Sequence, residues 1–205
     1  MEEFQQLLKE YGRDRLCVWA AKNGRLDVLK LAREHGCHLD AYTCAFAAEN
    51  GHLHILQWAR DHGCPWDTWT CAYAARGGHL HILKWARAHG CPWDVWTCAC
   101  AALRGHLNIL QWAREHGCPW NEQTCASADW GGHLHILQWA LEHECQISLY
   151  QRVVFRNNHF TSVSKLLHRN IFEKQDKVEE WIEIVDEACN TLTYNDLSKL
   201  IKSFI

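Results

Sequence analysis

The sequence predicts an all-α fold, a solenoid of helix-turn-helix repeats with helical caps at both ends. Three observations lead there. A phrase recurs at a fixed interval, running from Gly51-His52-Leu53 through Ile55-Leu56, Trp58 and Gly63-Cys64-Pro65-Trp66-Asp67 to Thr70-Cys71-Ala72 and Ala74-Ala75. The evenly spaced glycines Gly24, Gly51, Gly78, Gly105 and Gly132 keep its phase with no insertion between copies. Within each copy the apolar spacing is that of a helix, without the alternation of a strand. A single period through most of a chain marks units that bury their apolar faces only by stacking, and such stacks are usually binding surfaces.

Each repeat divides into two short helices. Asp40, Asp67, Asp94 and Asn121 precede the Thr-Cys-Ala segments as N-caps, whose side-chain oxygens can accept from the unpaired N–H groups of a first helix turn. That helix ends near the next glycine. The second carries Leu53, Ile55, Leu56, Trp58 and Ala59 on one broad apolar face. Gly63 supplies a left-handed residue at its C-terminal end, and Pro65 prevents continuation.

Projected backward, Cys17 falls one full period before Cys44, so residues 13–23 form the first helix of the first unit and residues 1–11 cap it. Projected forward, His159 to Arg169 takes the second-helix position and Tyr150 to Asn157 replaces the first helix, giving a degenerate sixth unit. Residues 170–205 leave the period, with an amphipathic stretch through Trp181, Ile182 and Val185 and a last helix opened by Thr193 to Asp196. The expected domains are therefore a solenoid over 1–168, its N-terminal cap included, and a C-terminal helical cap over 169–205. A divergent end is expected because a regular last repeat would expose an apolar face.

At 205 residues, 48% hydrophobic and 22% charged, the chain can bury one sizeable core. A net charge of -3 gives no global basic field, so neither nucleic acid nor a membrane surface is an expected partner. The start Met1 to Lys9 lacks the cationic and apolar regions of a signal peptide, and no apolar run approaches a membrane span; a cytoplasmic or other intracellular location is expected. Ten of the 12 cysteines recur at two fixed repeat positions, unlike a disulfide framework, and are expected to be reduced.

The segment Ala74-Ala75-Arg76-Gly77-Gly78-His79-Leu80, followed by Ile82-Leu83-Lys84-Trp85-Ala86 and His89-Gly90, resembles the signature joining the two helices of ankyrin repeats. The match recurs five times and covers residues 13 to about 168. Two departures stand out. The Thr-Pro-Leu-His opening of the ankyrin first helix is absent, with Thr70-Cys71-Ala72 near its place. The unit from one phase glycine to the next is also shorter than the usual ankyrin repeat of about 33 residues. The missing residues fall where ordinary ankyrin repeats place a β-turn finger. The pattern is similar to the shortened ankyrin-like repeats of large DNA viruses and some protists. The resemblance implies a protein-binding solenoid without chemistry, and the shortened unit counts against a binding mode that relies on finger tips.

Several repeated residues invite a chemical role. Trp58, Trp85, Trp112 and Trp139 share one second-helix position and should form a ladder in the inter-repeat core, since a base- or sugar-stacking platform would normally come with a basic groove. Trp66, Trp93 and Trp120 in the Cys-Pro-Trp loops are expected to pack over the surface left by the missing finger. Zinc needs four converging ligands, yet the only cysteines close in sequence, Cys98 and Cys100, point to different sides of a helix. Cys44, Cys71, Cys98 and Cys125 suit a small buried apolar position. His52, His79, His106 and His133 can bond nearby backbone groups; His62, His89 and His116 can donate to the last carbonyls of a helix. No metal, no cofactor and no catalytic residue is expected, because a catalytic constellation would be singular and these residues are copied five-fold.

Function is therefore sought where the copies differ. The first helices change at Ala41-Tyr42, Thr68-Trp69, Val95-Trp96 and Glu122-Gln123, and four residues on at Phe46, Tyr73, Cys100 and Ser127. Residues four apart lie one above the other, so an aromatic stripe runs along one side of the solenoid. The helix ends Glu49-Asn50, Arg76, Leu103-Arg104 and Asp129-Trp130 vary too and should rim it. The partner-binding set is Tyr42, Phe46, Glu49, Trp69, Tyr73, Arg76, Trp96, Cys100, Arg104, Gln123, Ser127 and Trp130, acting in a monomer that binds a protein partner. Packing between adjacent first helices is the competing role for the stripe. The alternatives at the level of function are a metal- or redox-responsive Cys/His array and a ubiquitin-ligase adaptor. The adaptor would need an F-box-like module, for which residues 1–12 are too short and residues 170–205 lack a Leu-Pro opening.

Overall fold

A computed structural model describes residues 2–145; the expected sixth unit and C-terminal cap lie outside them. Among the described residues there are ten α-helices and no strand. Helix α1 spans Glu2–Lys22 and is interrupted at Gly12, whose φ of 71° and ψ of 171° break the run. The residues before Gly12 are the N-terminal cap, and those after it occupy the first-helix position of the first repeat. Phe4 of the cap is 2% exposed, its ring 4.8 Å from that of His35.

From there the period is kept. Helix α2 (Leu26–Glu34) completes the first repeat. The next three are α3 (Ala41–Glu49) with α4 (Leu53–Asp61), α5 (Thr68–Arg76) with α6 (Leu80–Ala88), and α7 (Val95–Leu103) with α8 (Leu107–Glu115). The fifth is α9 (Glu122–Trp130) with α10 (Leu134–Glu142). The expected caps are in place. Asp40 accepts from the N–H of Thr43, Asp67 from Trp69, Asp94 from Trp96 and Asn121 from Gln123. The second helices stop as expected, Gly63, Gly90 and Gly117 having φ near 80°.

First helices pack mainly on first helices: α1 on α3, α3 on α5, α5 on α7, α7 on α9. Their buried faces explain the close approach, for α5 buries Thr70, Cys71, Ala72, Ala74 and Ala75, none longer than a threonine or cysteine. Second helices bury larger side chains, such as Ile82, Leu83 and Ala86 of α6, and each packs against the first helix of its own repeat. Helices this short do not persist alone in water, so their stability comes from this packing.

The interhelical glycine interlocks neighbouring repeats. Gly78 has a φ of 82°, and a Cβ there would lie 2.8 Å from the ring of His106 in the next repeat. The same imidazole-on-glycine contact joins Gly24 to His52, Gly51 to His79 and Gly105 to His133. Glycine is thus demanded twice, by backbone conformation and by the ring seated against it. Burial lowers the proton affinity of His79, with a bond to the Glu49 carbonyl opposing it.

The second-helix side departs from the expected tryptophan ladder. Trp58, Trp85, Trp112 and Trp139 are half-buried, and each stacks on the histidine four residues on, as Trp58 does on His62 at 4.1 Å. Contact to the preceding repeat runs through the loop tryptophans: Trp66 meets Trp85 edge-on at 6.0 Å, Trp93 meets Trp112 at 5.9 Å and Trp120 meets Trp139 at 5.8 Å. Wider spacing on this side leaves room for a second ring between repeats. Arg60 fixes the wedge, its guanidinium 4.1 Å from the Trp66 ring and its Nη1 donating to the Cys64 carbonyl. Arg87 and Arg114 repeat both contacts.

Gly78→Ala is expected to cost about 2–3 kcal/mol in urea unfolding, and Gly90→Ala, at the same φ with open space around it, about 1–2 kcal/mol. The difference measures the imidazole contact. His79 carries a lowered pKa when folded, so the unfolded chain takes up the proton first as the pH falls. Its contribution is complete above the ordinary imidazole value of about 6.5 and is lost below it. His79→Gln should therefore show a shallower decline of the urea midpoint between about pH 7.5 and 5 than the unsubstituted protein.

Candidate functional site

Three positions of each first helix point away from the core, spaced i, i+4 and i+7. The i row runs Tyr42, Trp69, Trp96, Gln123; the i+4 row Phe46, Tyr73, Cys100, Ser127; the i+7 row Glu49, Arg76, Leu103, Trp130. Close stacking of the first helices joins these rows across repeats. Tyr42 lies 6.5 Å from Phe46, Phe46 meets Tyr73 edge-on at 5.5 Å, and Trp69 meets Tyr73 at 5.9 Å. Trp69 then stacks on Trp96 at 6.2 Å with an interplanar angle of 26°. The rings form one connected stripe over three repeats.

The stripe both packs and faces outward, row by row. Tyr42 is 58% exposed, Trp69 42% and Trp96 43%, whereas Phe46 and Tyr73 are half-buried and form the floor. Trp130 is 85% exposed. Gln123 and Cys100 are half-buried; Ser127, 5% exposed, lies beneath the surface and offers a partner almost nothing. Glu49 and Arg76 pair across the repeat boundary at 3.3 Å, and the Arg76 guanidinium lies 5.7 Å from the Tyr73 ring. Arg104 is exposed one residue beyond the i+7 row, which Leu103 occupies in that repeat. Asp129 stands where the other repeats bury Ala48, Ala75 and Ala102, and burial raises its carboxyl pKa.

The same register extends into the first repeat, where Arg15, Trp19 and Lys22 stand one period before Tyr42, Phe46 and Glu49. Sequence reasoning left them out, although the step that placed Cys17 before Cys44 would have found them. Trp19 is half-buried, its ring 5.3 Å from Tyr11 of the cap, while Arg15 and Lys22 are exposed.

The cysteines take their place in the frame. Cys44 donates to the sulfur of Cys64, which donates to the Asp40 carbonyl at 3.2 Å; Cys71 with Cys91, Cys98 with Cys118 and Cys125 with Cys145 repeat the relay. A whole second helix separates the two members of each pair, and nothing in the linear spacing advertised them. The donated bond and burial raise Cys44, Cys71, Cys98 and Cys125 far above an ordinary thiol, so they hold their protons and are poor nucleophiles. Among the described residues no three His, Cys, Asp or Glu side chains converge as a metal site would require. His62, His89 and His116 donate Nδ1–H to the carbonyl four residues back at 2.8 Å, the structural role their position suggested. No helix among the described residues is long and apolar enough to cross a membrane.

The outward first-helix face thus carries partly exposed rings, while the described cysteines other than Cys100 are buried. Residues 44–87 match the family of ankyrin repeats (many copies), a span that runs from the first turn of α3 to the last turn of α6. Comparison with curated proteins gave no match.

Cys100, with its thiol pushed up to about 11 mainly by burial, is the one described cysteine that is only half-buried. In the native protein iodoacetamide at about pH 9 should modify it first among the described cysteines, as peptide mass spectrometry would locate; urea should open the others to reaction.

Proposed function

We propose that this chain, whose residues 44–87 match ankyrin repeats and whose described helices keep their two-helix period, works as a non-catalytic scaffold that holds a protein partner against the outward face of its first helices. The observation that carries this reading is the stripe itself, in which Tyr42, Trp69 and Trp96 keep 42–58% of their surface in water while Trp69 packs on Trp96 and Tyr42 on Phe46. Rings of this size give most when a partner removes the rest of their surface from water, and they are the usual anchors of interfaces. A frame whose loops and caps are the same from repeat to repeat presents them already ordered, so binding sacrifices little side-chain freedom.

The residues that contribute most are Trp69 and Trp96, at the centre of the stripe, with Tyr42, Phe46 and Tyr73 around them. Glu49, Arg76, Arg104, Gln123 and Trp130 form the rim, and Cys100 the low ground between Trp96 and Trp130. The thiol pairs and outer tryptophans belong to the frame in this reading.

A double variant, Trp69→Ala with Trp96→Ala, tests it. Removing two central anchors should weaken capture of the specific partner at least tenfold, each anchor being worth about 2 kcal/mol or more. Quantitative affinity capture would read the effect, with circular dichroism and urea unfolding as controls for the fold. A folded variant that captures the same proteins equally well overturns the proposal.

A further inference from the structure

The geometry points to the thiol pair of the last described repeat, Cys125 with Cys145, as a redox site that a hydroperoxide closes into a disulfide tying α9 to the turn after α10. The site is independent of the docking face proposed above. All four thiol pairs share one arrangement, in which the first-helix thiol donates to the loop sulfur and the loop sulfur to the N-cap carbonyl. Sulfurs already in contact need only a small closing movement to bond. What differs between the pairs is the loop that covers them.

The three inner loops are clamped. Arg60 donates to the Cys64 carbonyl and covers the Trp66 ring; Arg87 does the same for Cys91 and Trp93, and Arg114 for Cys118 and Trp120. Gly63, Gly90 and Gly117 supply the left-handed residue ahead of each cysteine, and Cys64, Cys91 and Cys118 are fully buried. In the last described repeat these features are replaced. Leu141 stands in register with Arg60, and Gln146 and Ile147 with Pro65 and Trp66, so the clamp cannot be made. Glu144 takes the glycine place at a φ of 64°, a conformation that a residue with a Cβ adopts at a cost, so this turn opens more readily than the others. Cys145 is 5% exposed, and hydrogen peroxide, little larger than water, reaches such a sulfur before a bulkier alkylating agent does.

The bond from Cys125 holds the Cys145 thiol below its ordinary range, so Cys145 is the sulfur that becomes the thiolate. In the first step that thiolate attacks a peroxide oxygen. The O–O bond breaks, the departing hydroxide takes a proton to become water, and Cys145 is left as a sulfenic acid. The Cys125 sulfur, already in contact, then attacks the Cys145 sulfur; the S–O bond breaks, and hydroxide leaves as water with the Cys125 proton. Two thiols are oxidised and one peroxide is reduced to two waters.

The test treats the reduced, folded full chain with hydrogen peroxide, quenches with catalase, blocks remaining thiols in urea and maps linked peptides by mass spectrometry. The link between Cys125 and Cys145 should form first, at least about tenfold faster than any inner pair. Cys125→Ala removes the resolving sulfur, so dimedone added with the urea should label Cys145 as a sulfenic acid in that variant and scarcely in the unsubstituted chain. Inner pairs closing as fast, Cys145 linked in preference to Cys118, or no link while the chain stays folded by circular dichroism overturns the inference. So does equal dimedone labelling of Cys145 with and without Cys125. If the variant fails to fold, the order of links in the unsubstituted chain decides.

Discussion

Close packing between successive first helices is the constraint on which the rest of this structure depends. It requires small side chains on the facing surfaces, and Thr, Cys and Ala fill them in repeat after repeat. Once the helices approach this closely, nothing large fits between them. The aromatic residues at i and i+4 are left on the outer face, where they touch their counterparts one repeat away and keep part of their surface in water. The outward aromatic face is in this sense a consequence of the spine beneath it. The interlock of His106 on Gly78 belongs to the same constraint, since it sets the distance and angle at which one repeat meets the next.

The second-helix side solves a different problem. Its helices are spaced more widely and bury larger side chains, so a gap opens between repeats at their outer ends. Trp66, Trp93 and Trp120 fill it, each clamped by an arginine from above and set edge-on against a second-helix tryptophan. In a short unit without a finger, this Arg-Trp-Trp-His stack braces the loops. Tryptophan is abundant here for a mechanical reason, and the exposed tryptophans among the described residues, Trp69, Trp96 and Trp130, are the ones on the first helices.

How much was legible follows from what each feature depends on. Caps, stops and helix lengths depend on near neighbours in the chain, and Asp67, Gly63 and Pro65 gave them directly. The stripe was legible as a spacing, because residues four apart on a helix are neighbours whatever surrounds them. Whether its rings would be buried or exposed was not, since that depends on how near the next helix comes; Tyr42 and Ser127 were equal candidates in sequence and end at 58% and 5% exposure. The thiol pairs were hidden for the same reason. Cys44 and Cys64 sit on different elements, and only the return of the loop beneath α3 brings their sulfurs together.

The sequence by itself determined the repeat, the two-helix unit, its boundaries and the set of positions that vary, because periodicity and local backbone preference are written along the chain. Tertiary structure alone decided which variable residues keep their surface in water, which cysteines come together as hydrogen-bonded thiols, and which tryptophans fill the gaps between repeats. Those outcomes turn on the distance between helices that lie a full period apart in the chain, and a distance of that kind exists only once the repeats have stacked.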